Sequence, residues 1–276
     1  MQLKNLFQIL GFRSKAKRYL YTINRFDLKD GIQVNYAQWM HPAESQKVIS
    51  QDQIDSFREF LTEGDFCIDI GAHTGDSTLP MAIAVGSSGF TLALEPNPFV
   101  YHVLEKNVRL NRNITNIKTI MAAAASKECF MEFEYSDAGF CNGGRHEGVS
   151  VFRHGHAYKL EVFGLNLAQE LKSDYMDYLP QLKFIKIDTE GYDLYILQFL
   201  SDIIETYRPF VKTEIFKKTS IEYRKKLFSF FLEKNYSIYK IENEPVGRGD
   251  LLDVNHINIE KHFDILCVPD NNLSGN

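Results

Sequence analysis

The sequence predicts an α/β protein: a mostly parallel sheet with helices on both faces and an antiparallel closing strand. From about residue 65, short apolar runs alternate with helical patterns and turn residues lie between them, as in parallel βαβ units. These runs end in glycine or a carboxylate, at Gly71, Glu95, Asp188 and Glu214. The last apolar runs, 236–241 and 263–268, close the sheet as a final pair of strands.

The elements follow in order. The first strand of the alternation is the apolar run 66–70, ending at Gly71, and a helix is expected from about Asp76. Pro80 falls early in that helix, where amides have no intrahelical partner to lose. The second strand spans 90–94. Asn97 then reads as an N-cap with Pro98 at the first helical position, and Val100, Val103, Leu104 and Val108 share one face of the helix. Strands are expected at 117–123 and 130–135. The stretch 136–164 breaks the pattern: it is polar, holds four glycines by Gly148 and carries three of the eight histidines. It reads as an insertion on the substrate side of the site, since function concentrates in loops on a rigid scaffold. The alternation resumes with strand 184–187, a helix over 194–204 and strand 210–215. Thr219 and Glu222 form a capping box for a helix whose buried face is Tyr223, Leu227, Phe230 and Phe231, and Asn235 stops it.

Residues 1–45 read as a basic helical extension and 46–276 as the catalytic domain. Leu3, Leu6, Phe7 and Leu10 fall at helical spacing among Lys4, Arg13, Lys15, Lys17 and Arg18, and no acid precedes Asp27. Docking of that helix on its own domain is the favoured expectation; peripheral membrane contact is the alternative. The net charge of -5 gives no general attraction to nucleic acid, and no apolar run reaches the ~20 residues of a bilayer span. The N-terminus lacks the small-residue cleavage site of a signal peptide. The four cysteines, Cys67, Cys129, Cys141 and Cys267, are widely spaced and read as reduced thiols of a cytoplasmic protein.

Chemistry concentrates in the turn 69–75, Asp-Ile-Gly-Ala-His-Thr-Gly. Gly71 and Gly75 let the backbone turn tightly and lie against a ligand. Their spacing departs from the GxGxxG of a dinucleotide site, where a pyrophosphate rests on the helix N-terminus. A looser turn suits S-adenosyl-L-methionine, which has no phosphate. Glu95, ending the next strand, can accept hydrogen bonds from both ribose hydroxyls. The cofactor-site candidates are Asp69, Gly71, His73, Gly75, Glu95, Asn97 and Ala123.

The run 69–75, then Leu-Glu95-Pro-Asn97-Pro, then Phe184-Ile-Lys-Ile-Asp188-Thr-Glu190-Gly191-Tyr192, resembles the FkbM family of S-adenosylmethionine-dependent methyltransferases. The resemblance covers about residues 60–216 in the right order. It implies a Rossmann-like class I methyltransferase fold and methylation of oxygen on sugars or secondary metabolites. It also places Gly71, His73, Gly75 and Glu95 at the cofactor, with Ala123 near the adenine.

Methyl transfer to an alcohol needs an aligned oxygen and an acceptor for its proton. Asp188 and Glu214 end adjacent strands and Glu190 lies on the turn after Asp188, so three carboxylates gather at the crevice. Asp188 is the candidate base, with Glu190 and Glu214 orienting it or the acceptor. Mutual repulsion raises such pKa values or invites a cation, and an all-oxygen cluster suits Mg²⁺. In the insertion, Asn142 and Arg145 suit a hydroxylated substrate such as a glycan or small molecule, and Tyr135 and Phe140 suit ring stacking. His154 and His156 are two apart, which permits a metal if His146 or Asp137 adds a ligand; hydrogen bonding at a rim is the plainer reading. A nicotinamide-dependent oxidoreductase and a non-catalytic binding module on the same fold are the alternatives.

Overall fold

The structure, a computed structural model, describes residues 16–135, 138–141, 143–144, 158–243 and 245–270. It opens with an antiparallel hairpin, β1 (Tyr21–Asp27) and β2 (Gln33–Trp39). This corrects the helical reading of residues 1–45 over residues 21–39; the amphipathic segment around residues 3–10 lies outside the described residues. The physical reason is the period-two pattern Gln33-Val34-Asn35-Tyr36, which buries Val34 and Tyr36 completely. Helix α1 (Gln51–Arg58) follows, with a capping box: Ser50 Oγ accepts from the Gln53 amide and Gln53 Oε1 accepts from the Ser50 amide.

The alternating core is β3 (Phe66–Ile70), α2 (Thr78–Val85), β4 (Phe90–Leu94), α3 (Pro98–Leu110) and β5 (Ile117–Ile120). Asn97 caps α3 by accepting from the Phe99 amide at 2.9 Å, with Pro98 in the first turn, as expected. The strand predicted over 117–123 is two strands in different sheets. Its tail is β6 (Ala123–Ala125), which joins β7 (Cys129–Tyr135), β8 (Gly143–Gly144) and β9 (Tyr158–Asn166) in a second sheet ordered β6-β9-β7-β8. The end of the predicted insertion is therefore built into a sheet, pairing residue by residue with β7.

Next come α4 (Leu167–Ser173), β10 (Leu182–Ile187), α5 (Asp193–Phe199), α6 (Ser201–Tyr207) and β11 (Phe210–Ile215). The single helix expected over 194–204 is two helices meeting at Leu200, which is fully buried in the core. Helix α7 (Ile221–Leu232) is capped by Ser220, whose Oγ accepts from the Tyr223 amide at 3.1 Å. Thr219, the expected cap, donates instead to the Phe216 carbonyl at 2.7 Å. The buried face of α7 is Arg224, Leu227, Phe228 and Phe231: Leu227 and Phe231 are as predicted, while Tyr223 and Phe230 are only partly buried and Arg224 and Phe228 take their places. Arg224 is tolerated there because carbonyls of Phe216, Ile257 and Glu260 accept from its guanidinium. The chain closes with β12 (Tyr236–Asn243), β13 (Gly247–Leu252) and β14 (Phe263–Pro269).

The main sheet has the order β13-β12-β14-β11-β10-β3-β4-β5, with β5, β4, β3, β10 and β11 parallel and the other three antiparallel. The central strands β3 and β4 are buried at every residue, which is why they read as unbroken apolar runs. Phe66, Ile68 and Ile185 pack in one layer with α4 to α7. Cys67 and Phe184 face the other, with α1, α2 and the N-terminal hairpin. From β3 the chain steps outward to β4 and β5, then returns to lay β10 on the opposite side of β3. That reversal opens a crevice at the carboxyl ends of β3 and β10. Among the described residues no helix is long and apolar enough to cross a membrane.

Candidate functional site

The turn after β3 is shaped by two glycines at positive φ, Gly71 at 79° and Gly75 at 90°. A Cβ on Gly71 would sit 2.0 Å from the Asp188 carbonyl oxygen, and one on Gly75 would sit 2.9 Å from Leu104. Gly71 is thus demanded by close packing as well as by φ, and Gly75 chiefly by φ. The amides of Gly71 and Ala72 both donate to the Leu94 carbonyl, at 3.0 and 2.9 Å, and tie the turn to β4.

Glu95 is buried at the end of β4. Its two oxygens accept from the His73 amide at 2.9 Å and the Asn97 amide at 2.8 Å. Burial pushes its pKa up, against the pull of nearby His73 and the two amides. A carboxylate has about four acceptor positions, so the fixed Glu95 retains two for a ligand. Asn97 extends the scaffold: while capping α3, its Nδ2 donates to the Phe140 carbonyl at 2.7 Å and secures the 138–141 loop.

These groups wall a cavity of about 370 Å³ in the crevice. Of the cofactor candidates, Gly71, His73, Glu95, Asn97 and Ala123 line it; of the carboxylates, Asp188 and Glu190 do. Ala122, Ala123 and Ala124 form a low wall, and Met131, Phe133 and Tyr135 of the second sheet stand over it. Tyr135 therefore faces the cavity, whereas Phe140 packs against Phe99, ring centroids 4.4 Å apart.

Three expected site residues lie elsewhere. Gly75 shapes the turn from behind. Asp69 is fully buried beneath it, accepting from Thr78 Oγ1 at 2.6 Å and from Lys186 Nζ at 3.2 Å. Strand alternation puts Asp69 on the opposite face of β3 from Ile68 and Ile70, under α2. Glu214 turns to His262, whose Nδ1 lies 3.0 Å from Oε1. Its pKa is pushed up to about 9, by burial first and then by Asp188 and Asp193. A carboxyl that is neutral at neutral pH is no ready base. The expected substrate-side residues Asn142, Arg145, His154 and His156, with His146 and Asp137, lie outside the described residues.

Among the described residues, the carboxylate cluster expected to suit Mg²⁺ does not bring three ligand atoms close enough to share an ion. A protein cation stands in its place: Lys186 Nζ lies 3.5 Å from Asp188 and 3.2 Å from Asp69. Burial works to lower the Lys186 pKa, but Asp69, Asp188 and Asp76 outweigh it, and the ammonium is held charged. Glu190, at φ 53°, has its pKa raised by burial and by Asp188. Repulsion among the carboxylates is thus met by raised pKa values and by Lys186.

Sequence reasoning missed several participants. Asp193 is fully buried and gathers the turn 188–191: Thr189 Oγ1 and the Gly191 amide donate to Oδ2, at 2.9 and 3.2 Å, and Thr213 Oγ1 donates to Oδ1 at 2.9 Å. Burial, then Asp188, pushes its pKa up to about 6. Lys186 did carry a signal, since a lysine inside an apolar strand requires a counter-charge. Glu44, Ser45 and Lys47, which line the cavity from the segment after β2, carried none.

Residues 69–244, well over half the chain, match the methyltransferase FkbM domain family. The chain belongs to the FkbM methyltransferase family. No curated protein matches the sequence. Among solved structures it is similar to an FkbM methyltransferase from Methylobacillus flagellatus, at 12% identity and TM-score 0.48, over 79% of this chain and 51% of that one. This FkbM-family chain thus spans about half the length of that protein. An S-adenosylmethionine-dependent O-methyltransferase from Thermotoga maritima is similar at 12% identity and TM-score 0.43, covering 89% and 77% of the two chains. Fibrillarin from Aeropyrum pernix, with bound S-adenosyl-L-methionine, is similar at 13% identity and TM-score 0.43, covering 93% and 98%. These likenesses are loose, and family membership rests on the match over 69–244.

Proposed function

We propose that this FkbM-family protein transfers a methyl group from S-adenosyl-L-methionine to a hydroxyl of a glycan or secondary metabolite. The observation that carries the reading is Glu95, a carboxylate fixed by two amides beside the glycine turn and facing the cavity that Asp188 and Glu190 also line. The residues present fit the cofactor. Glu95 keeps acceptor positions for two ribose hydroxyls, and Ala122 to Ala124 leave space for a flat base. When bound, the cofactor supplies an activated methyl on a sulfonium.

Asp188 and Glu190 then hold the acceptor hydroxyl and take its proton. Asp188 is held by Lys186, 3.5 Å away, and suits orienting the hydroxyl. Glu190 has the raised pKa and suits proton acceptance, which contributes about 10²- to 10⁴-fold to rate.

Calorimetry with S-adenosylmethionine tests the cofactor half. Glu95→Ala is expected to weaken binding at least about tenfold, the order of two lost charge-assisted hydrogen bonds; unchanged affinity would sink the ribose assignment. Mass spectrometry of cell extracts with and without the gene seeks the acceptor as a species differing by one methyl. With that acceptor in hand, Glu190→Gln is expected to keep cofactor affinity and lose about a hundredfold or more in kcat. A fully active variant removes Glu190 as base.

A further inference from the structure

Three ligand-type side chains from distant segments meet on the cavity wall. Glu44 comes from the segment after β2, His73 from the glycine turn, and Cys141 from the loop that Asn97 secures. Their donor atoms lie within 4.8 Å of one another. Glu44 Oε2 is 3.9 Å from both His73 Nε2 and Cys141 Sγ. The Glu44 side chain is only 6% exposed, and its Oε1 has no hydrogen-bond partner. An oxyanion taken out of water calls for a cation, although the unbonded Oε1 is not the oxygen, Oε2, that faces His73 and Cys141. Lys47 lies 3.7 Å from Glu44, but its closer partner is Asp76 at 2.8 Å.

We propose that Glu44, His73 and Cys141 form a Zn²⁺ site, its fourth position open to the contents of the cavity. Tetrahedral zinc holds oxygen and nitrogen at about 2.0–2.1 Å and sulfur at about 2.3 Å, which sets ligand atoms roughly 3.3–3.7 Å apart. Glu44 needs to close on each of the others by only a few tenths of an ångström, and His73 and Cys141, within 4.8 Å of each other, by at most about 1.2 Å. One thiolate, one imidazole and one carboxylate suit a borderline-soft ion, whereas Mg²⁺ seeks oxygen alone. On binding, the Cys141 thiol loses its proton to solvent as the sulfur–zinc bond forms, and His73 donates the Nε2 lone pair; no electron changes owner. The supports are in place: the His73 amide is fixed on Glu95, and the Cys141 loop hangs from Asn97. The site shares the cavity, and His73, with the cofactor reading, but none of its ligands is assigned the acceptor's proton.

The full-length chain, stripped of metal, is titrated with Zn²⁺ against a chromophoric chelator, and with Co²⁺ to reveal thiolate-to-cobalt absorption. One equivalent of Zn²⁺ and a thiolate–Co²⁺ band are expected. Cys141→Ser should abolish the band, and Glu44→Gln and His73→Asn should each lower Zn²⁺ affinity by at least about ten- to hundredfold. No stoichiometric uptake, no band in the wild type, or an effect confined to Cys141→Ser overturns the site. Circular dichroism of each metal-free variant checks folding, and should a variant unfold, the wild-type band decides alone. S-adenosylmethionine affinity, measured separately on the same preparations, lets the cofactor reading stand or fall independently.

Discussion

At Gly71 two strands and a ligand crevice share one backbone position, and nothing larger than hydrogen fits. The φ of 79° excludes most side chains, and the Asp188 carbonyl occupies the space a Cβ would need. Gly71→Ala must therefore either strain the turn or push β10 away from β3. It is expected to cost about 3 kcal/mol or more, read as a lower urea midpoint at unchanged m-value. Gly31 also sits at positive φ, yet a Cβ there meets nothing within 4 Å. Gly31→Ala is expected to cost less, which separates the φ penalty from the clash. Glu95 shows the same economy at residue scale, since one carboxylate anchors two amides and still faces the cavity.

The turn between β10 and α5, with Glu214 on the neighbouring strand, concentrates acids whose pKa values are raised. Asp193 moves from 3.8 to about 6 and Glu214 from 4.5 to about 9, each by burial first. A carboxyl with a raised folded pKa holds its proton longer in the folded chain than in the unfolded one. Its stabilising contribution is complete below the unfolded pKa and is lost as pH rises through the folded value. For Asp193 the loss falls between about pH 4 and 6 and amounts to about 3 kcal/mol. For Glu214 it runs from about pH 4.5 to 9. Urea midpoints are expected to fall across the neutral range, and Glu214→Gln, which cannot ionise, should flatten the slope above pH 6. A wild-type profile rising with pH would contradict both assignments.

Across the whole molecule, the N-terminal hairpin belongs to the fold. Val34, Tyr36 and Trp39 are buried, and Asn107 and Asn111 of α3 and its cap bond the backbone of Ala37 and Asn35. Asn107 also donates to the Thr74 carbonyl in the glycine turn at 2.7 Å, so the hairpin reaches the site. Burial of three large apolar side chains contributes roughly 5–8 kcal/mol, on the scale of a whole domain's stability. Deletion of residues 1–45 is expected to abolish cooperative unfolding and near-ultraviolet circular dichroism. A truncated chain that melts like the full one would restore a domain boundary at residue 45.

Local chemistry determined much of this protein from its sequence. Strands 66–70, 90–94 and 210–215, the Asn97 cap, the two glycines and Glu95 all follow from apolar runs, turn residues and capping rules that act over a few neighbours. The same is true of the resemblance that named the family. Tertiary structure decided what depends on distant partners. It placed Asp69 under the turn and Glu214 against His262, because strand alternation and cross-strand pairing are settled by the sheet. It made residues 21–39 a hairpin, because the face they cover is formed by α1 to α3. It brought Glu44 and Cys141 to His73, and Thr213 to Asp193, across separations over which a sequence carries no local signal. Contacts of that kind cost loop-closure entropy, which only the assembled core repays.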